Sequence, residues 1–191
     1  MTKIIKRLSV ILMLMLTTLP SRAEAMTVQM MEGEIRGGFI VPVESYHGGS
    51  PAISMELGIE GRYNFEDTPL DCGLMLALTT ASRNFAKYYH GATSVMQNNR
   101  TLVFAITGDY NFRQGKTFNP FIGTALGIGY NDTVGDRVFP SSGTSFVFMP
   151  RGGIEIVHFI RIMGEFNVCR KGYNNFSLTL GLVLGGRPKK N

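Results

Sequence analysis

The sequence predicts an all-β protein: an eight-stranded antiparallel up-and-down transmembrane β-barrel, preceded by a cleaved signal peptide. Three observations carry this. The N-terminus has the layout of a secretory leader, the rest of the chain alternates apolar and polar residues over eight segments, and lysine is kept out of the middle of those segments. Residues 1–25 are expected to be the leader and 26–191 one barrel domain.

The leader begins with Lys3, Lys6 and Arg7, runs through the apolar stretch 8–16 to Pro20, and ends at Ala23-Glu24-Ala25, with small residues where a signal peptidase reads. Lys3, Lys6, Arg7 and Arg22 leave with it against the single acid Glu24, so most of the formal charge of +5 goes too. No later segment clusters Lys and Arg with aromatics, which excludes a nucleic-acid groove. The 191 residues are 44% hydrophobic and 17% charged, which argues against disorder. Beyond residue 20 no apolar run approaches the roughly 18 residues of a spanning helix. Two cysteines are too few for a disulfide-stapled scaffold.

The eight segments are expected at 32–42, 53–65, 70–85, 101–112, 119–131, 145–156, 160–170 and 175–185. In the second, Ile53, Met55, Leu57, Ile59, Tyr63 and Phe65 share one face, with Ser54, Glu56, Glu60, Arg62 and Asn64 opposite. The fourth sets Leu102, Phe104, Ile106, Tyr110 and Phe112 against Thr101, Thr107, Asp109 and Asn111. The eighth sets Phe176, Leu178, Leu180, Leu182 and Leu184 against Asn175, Ser177 and Thr179. At about 3.3 Å per residue and a tilt near 40°, strands of this length rise about 25–33 Å, enough to cross an outer membrane. Connections 43–51, 86–99 and 132–144 are long. Those at 66–69, 113–118 and 157–159 are short, with turn chemistry at Thr68-Pro69 and Gln114-Gly115. Long and short alternate as they do when long loops face outward and short turns the periplasm.

Alternation alone does not say which face is inside, since a soluble lipocalin-like barrel has the same period. Lysine placement decides. Lys87, Lys116, Lys171, Lys189 and Lys190 all fall in loops, turns, strand ends or the tail, whereas a water-facing strand surface would use several. Aromatics form two expected belts, Tyr63, Phe65, Tyr110, Phe112 and Phe121 near one rim and Phe39, Tyr130, Phe146 and Phe176 near the other.

With these features, and with Pro150-Arg151-Gly152-Gly153-Ile154-Glu155 matching a Pro-Arg-x-Gly-x-Glu strand pattern, the chain resembles the small eight-stranded outer-membrane barrels of Gram-negative bacteria: the OmpA transmembrane domain, OmpX and opacity-protein group. The resemblance covers about residues 32–186. Many members end in a terminal aromatic read by the assembly machinery, whereas this chain ends Arg187-Pro188-Lys189-Lys190-Asn191. The resemblance implies an outer-membrane location, with outer-membrane lipid, lipopolysaccharide and the assembly machinery as partners.

On the polar faces sit Glu34, Arg36, Glu56, Glu60, Arg62, Asp109, Arg151, Glu155, Arg161 and Glu165. Isolated buried charge is costly, so these are expected to pair across the interior, plug it and fix strand register. The alternative is a gated ion path. Of the histidines, His47 follows Ser45-Tyr46 in a loop, a weak resemblance to the arrangement of a lipid A-modifying barrel enzyme, while His90 and His158 read as loop and turn residues. No catalytic site, metal site or cofactor is expected. Cys72 and Cys169 are expected at opposite strand ends, too far apart for a disulfide. The function expected is structural or surface-interacting, with an extracellular ligand or protein met through Tyr46, Tyr88, Tyr89, Arg137 and Phe139, residue types that dominate binding hot spots. A small pore, a lipid A-modifying enzyme and a soluble secreted binding barrel are the alternatives.

Overall fold

The computed structural model describes residues 28–43, 50–85, 95–135 and 142–185, and the expected leader lies outside them. Eight long strands make the fold: β1 (Met31–Pro42), β2 (Ser54–Asn64), β3 (Leu70–Phe85), β4 (Val95–Asn111), β5 (Phe118–Gly135), β6 (Gly143–Ile156), β7 (Ile160–Asn167) and β8 (Asn175–Gly185). Each pairs antiparallel with the next, and β8 pairs with β1 from Glu32↔Gly185 to Pro42↔Asn175, which closes the barrel. Closure leaves no long strand with an unpaired edge. The segment Ser50–Pro51 adds two residues of pairing against Arg83 and Asn84.

The faces are inverted relative to a protein with an apolar core. Ile53 is 74% exposed, Leu184 67% and Phe39 66%, whereas Glu56 is 0% exposed and Arg62 1%. Along β2 every second residue from Ser54 to Asn64 is buried and the apolar ones between are exposed. Among the described residues no helix is long and apolar enough to cross a membrane; the apolar surface is carried by strands.

Three expectations are corrected. The fourth strand starts at Val95 and the fifth runs to Gly135, so the stretches 95–99 and 132–135, expected in loops, are paired with each other from Gln97↔Gly135 to Arg100↔Asp132. Gln97, Asn99, Asn131 and Thr133 are polar because they face the interior, where the Gln97 amide donates to Asn99 Oδ1 at 2.8 Å and that of Asn99 to the Gly172 carbonyl at 3.0 Å. The seventh strand stops at Asn167, followed by one bridge at Val168, because Asn174 Oδ1 accepts the Cys169 amide proton at 2.7 Å and takes it from the ladder. Phe121, expected in an outer aromatic belt, is 3% exposed inside the barrel, where the Arg161 guanidinium lies 3.6 Å over its ring. The other belt residues do face outward, and Tyr63–Phe65 and Tyr110–Phe112 make edge-to-face pairs at the turn end.

Candidate functional site

The interior is ordered along the barrel axis. At the end bearing the short turns, the Gln114 side chain folds under the barrel and donates to Asn64 Oδ1 at 3.1 Å. Asn64 donates to Glu32, and Asn111 donates to Asp71 while accepting from Asn119. Next comes a layer of ion pairs, then an apolar layer of Met75, Ala77, Val103, Ala105, Ala125, Val147 and Met149. The loop end is polar again, with Thr101, Asn131, Thr133 and Tyr173 hydrogen-bonded to one another or to their neighbours.

Glu60 of β2 is the hub of the ion-pair layer. It accepts both Nη atoms of Arg151 at 2.7 Å, Arg36 Nη1 at 3.1 Å and the Thr107 hydroxyl at 2.9 Å. Arg151 turns its other edge to Asp109, at 2.8 Å through Nε and 2.9 Å through Nη2. One guanidinium thus forks two carboxylates, the geometry in which arginine is strongest. Asp109 also pairs with Arg161, and Glu34 with Arg62; Arg62 reaches Glu32 at 3.0 Å. On the other side Arg36 Nη2 lies 3.2 Å from Glu56 and 2.9 Å from Glu165.

All ten interior charges named from the sequence lie inside the barrel, and nine of them join one network of ion pairs. Glu155, opposite Arg161 across the β6–β7 ladder, makes no ion pair within 4 Å. Glycine makes room for the network. A Cβ at Gly123 would collide with the Asp109 carboxylate, and one at Gly181 with that of Glu34. Glu32, Asp71, Thr107, Gln114 and the buried Arg83 belong to the interior and were not singled out from the sequence. For Asp71 the signal was available, since it shares the parity of Met75, Ala77 and Thr79. Cys72 and Cys169 form no disulfide. Tyr46, Tyr88, Tyr89, Arg137 and Phe139 lie outside the described residues, as do Ser45, His47 and His90. Among the described residues no three His, Cys, Asp or Glu side chains gather into a metal-binding group.

No protein-family model matches the chain, and no curated protein matches its sequence. Solved structures do. Neisserial surface protein A is 9% identical, with a TM-score of 0.54, over 83% of this chain and 98% of that one. The outer-membrane protein Ail of Yersinia pestis, in a phospholipid bilayer nanodisc, is 15% identical, with a TM-score of 0.50, over 80% and 99%. The outer-membrane enzyme PagL matches at 16% identity and a TM-score of 0.45, over 80% and 98%. The likeness is one of fold, that of the small eight-stranded outer-membrane barrels, and assigns no activity.

Proposed function

We propose that the chain is an integral outer-membrane β-barrel without a catalytic site, acting structurally or as a surface-interaction protein through its long loops. One observation carries the reading: a closed barrel whose charges are turned inward and whose outer face is apolar from Ile35 and Leu57 round to Phe146 and Leu180. Each Å² of that face would cost about 25 cal/mol in water, and acyl chains remove the cost. A leader cleaved after Ala25 would deliver the chain across the inner membrane. Lipid and lipopolysaccharide would meet the apolar face, the assembly machinery would recognise the closing strands, and an extracellular ligand or protein would meet the loops bearing Tyr46, Tyr88, Tyr89, Arg137 and Phe139. The reading assigns no cofactor.

The test is membrane fractionation with a heat-modifiability gel on the same sample. The expected result is a detergent-dependent outer-membrane protein that runs faster before boiling than after. A periplasmic protein that needs no detergent would overturn the reading. Lipid A from expressing cells is expected to have unchanged mass. A mass change abolished by Ser45→Ala or His47→Ala would overturn the non-catalytic part alone.

A further inference from the structure

The interior carries more negative charge than its guanidiniums balance. Among the described residues seven buried carboxylates face five buried arginines, and Glu32 adds an eighth carboxylate beside Arg62. Around Arg36 the imbalance is local, since one guanidinium serves Glu56, Glu60 and Glu165. Buried carboxylates in excess of their guanidinium partners are compensated either by a proton or by a bound cation.

A second observation, independent of charge, says where the compensation sits. On the β7–β8 side of the interior, Glu165 faces Ser177 and Asn167 faces Asn175 in the ladder. All four are 1% exposed. Glu165 Oε2, Ser177 Oγ, Asn175 Oδ1 and both ends of the Asn167 amide have no hydrogen-bond partner. Glu56 Oε2 is in the same condition, and Arg36 Nη2 ties Glu56 and Glu165 together by their other oxygens. Buried polar atoms are rarely left unpaired, and the six named here lie on neighbouring positions of one stretch of wall.

We propose that this patch binds a hard cation, with Glu165, Glu56, Asn167, Asn175 and Ser177 as its oxygen donors. Two carboxylates with neutral oxygens suit an alkali or alkaline-earth ion, and with no thiolate or imidazole among them they do not suit zinc. Arg36 orients the two carboxylates from behind. The cation then offsets the charge that Arg36 leaves uncompensated and closes the β7–β8 seam where side-chain hydrogen bonds are missing.

The experiment is thermal unfolding of the refolded mature barrel in detergent, followed by gel mobility, at constant ionic strength set with N-methylglucamine chloride. NaCl and CaCl2 are titrated separately. Binding to the folded state raises the midpoint with the logarithm of concentration above the dissociation constant, by about 5–11 °C at a hundredfold excess. The rise is expected to vanish in the Asn167→Leu, Ser177→Ala double variant and to persist in Glu155→Gln, which removes a buried carboxylate at the far end. No rise with either salt, or a rise that survives the double variant, overturns the site. Should the double variant fail to fold, crystals grown in RbCl or CaCl2 decide. Anomalous density between Glu165, Asn167 and Ser177 supports the proposal, and ordered water alone there overturns it.

Discussion

Glu60 receives three guanidinium hydrogen bonds and one from Thr107 in a layer where Arg36 and Arg151 have no water to turn to. Removing its charge leaves Arg151 with Asp109 and Arg36 with Glu56 and Glu165, but takes the hub carboxylate from both, and breaking a buried pair from one side typically costs about 3–5 kcal/mol. Glu60→Gln is therefore expected to lower the unfolding free energy of the refolded barrel by that much, read as a lower urea midpoint at an unchanged slope. Glu155→Gln is expected to leave it unchanged or raise it, because Glu155 has no ion pair to lose. Equal losses in the two variants would contradict the hub role of Glu60. Parity made the inward direction of Glu60, Arg62 and Arg151 legible in the sequence, because Glu60 and Arg62 share theirs with Asn64 and Arg151 shares its own with Glu155. Which carboxylate is the hub was not legible. That depends on Glu60 of β2 meeting Arg151 of β6 across the interior, 91 residues away, and no local pattern encodes such a meeting. Phe121 was misread for a related reason: its ring faces a cation on another strand, and an aromatic near a strand end looks the same whether it faces lipid or guanidinium.

The strand centres were legible and several ends were not. Segment 70–85 was placed to the residue, with Pro69 marking its start and Leu74, Leu76 and Leu78 facing outward between the buried Met75, Ala77 and Thr79. The run Gln97-Asn98-Asn99-Arg100 hid the start of β4, since polar residues on an inward face cannot be told from loop residues by composition. The turns are plainer. Between β6 and β7, Val157 and His158 have φ of 56° and 61°, and the Phe159 amide donates to the Ile156 carbonyl at 3.2 Å. Within the three-residue connection 157–159 this is a tight turn with both central residues left-handed, a conformation that disfavours β-branched valine and suits Asn-Gly. Replacing Val157-His158 by Asn-Gly is expected to stabilise the barrel by about 1 kcal/mol, read as a higher urea midpoint. A lower midpoint would mean that the native side chains make contacts worth more than the strain. The glycines test the opposite sense. Gly123→Val places a branched side chain against the Asp109 carboxylate, and the expected result is loss of the fast-running unboiled band.

At the scale of the whole barrel, sequence fixes inside and outside through what is missing from the strands as much as through what is present. Lys116 lies in a turn and Lys171 in the β7–β8 connection, whereas Arg36, Arg62, Arg151 and Arg161 lie within strands. A guanidinium satisfies several carboxylates in fixed directions inside a packed wall, which an ammonium on a flexible stem does less well. The same packing bears on transport. An ion crossing the interior would have to pass the Asn64–Gln114 closure and the ion-pair layer, whose core members Arg36, Glu56, Glu60, Arg151 and Asp109 have no exposed side-chain surface. Beyond lie Val103, Ala125, Val147 and Met149, all 0% exposed and offering no polar atom to replace a hydration shell. A cation held at Glu165 and Ser177 would still have this layer beside it and the network beneath, so binding there does not amount to a path. The refolded barrel is therefore expected to give no discrete current steps in a planar bilayer at any salt concentration. Steps of constant amplitude that change in Glu56→Gln or Arg36→Met would show that the ion pairs exchange partners and open the interior, and a sealed structural barrel would then be the wrong description.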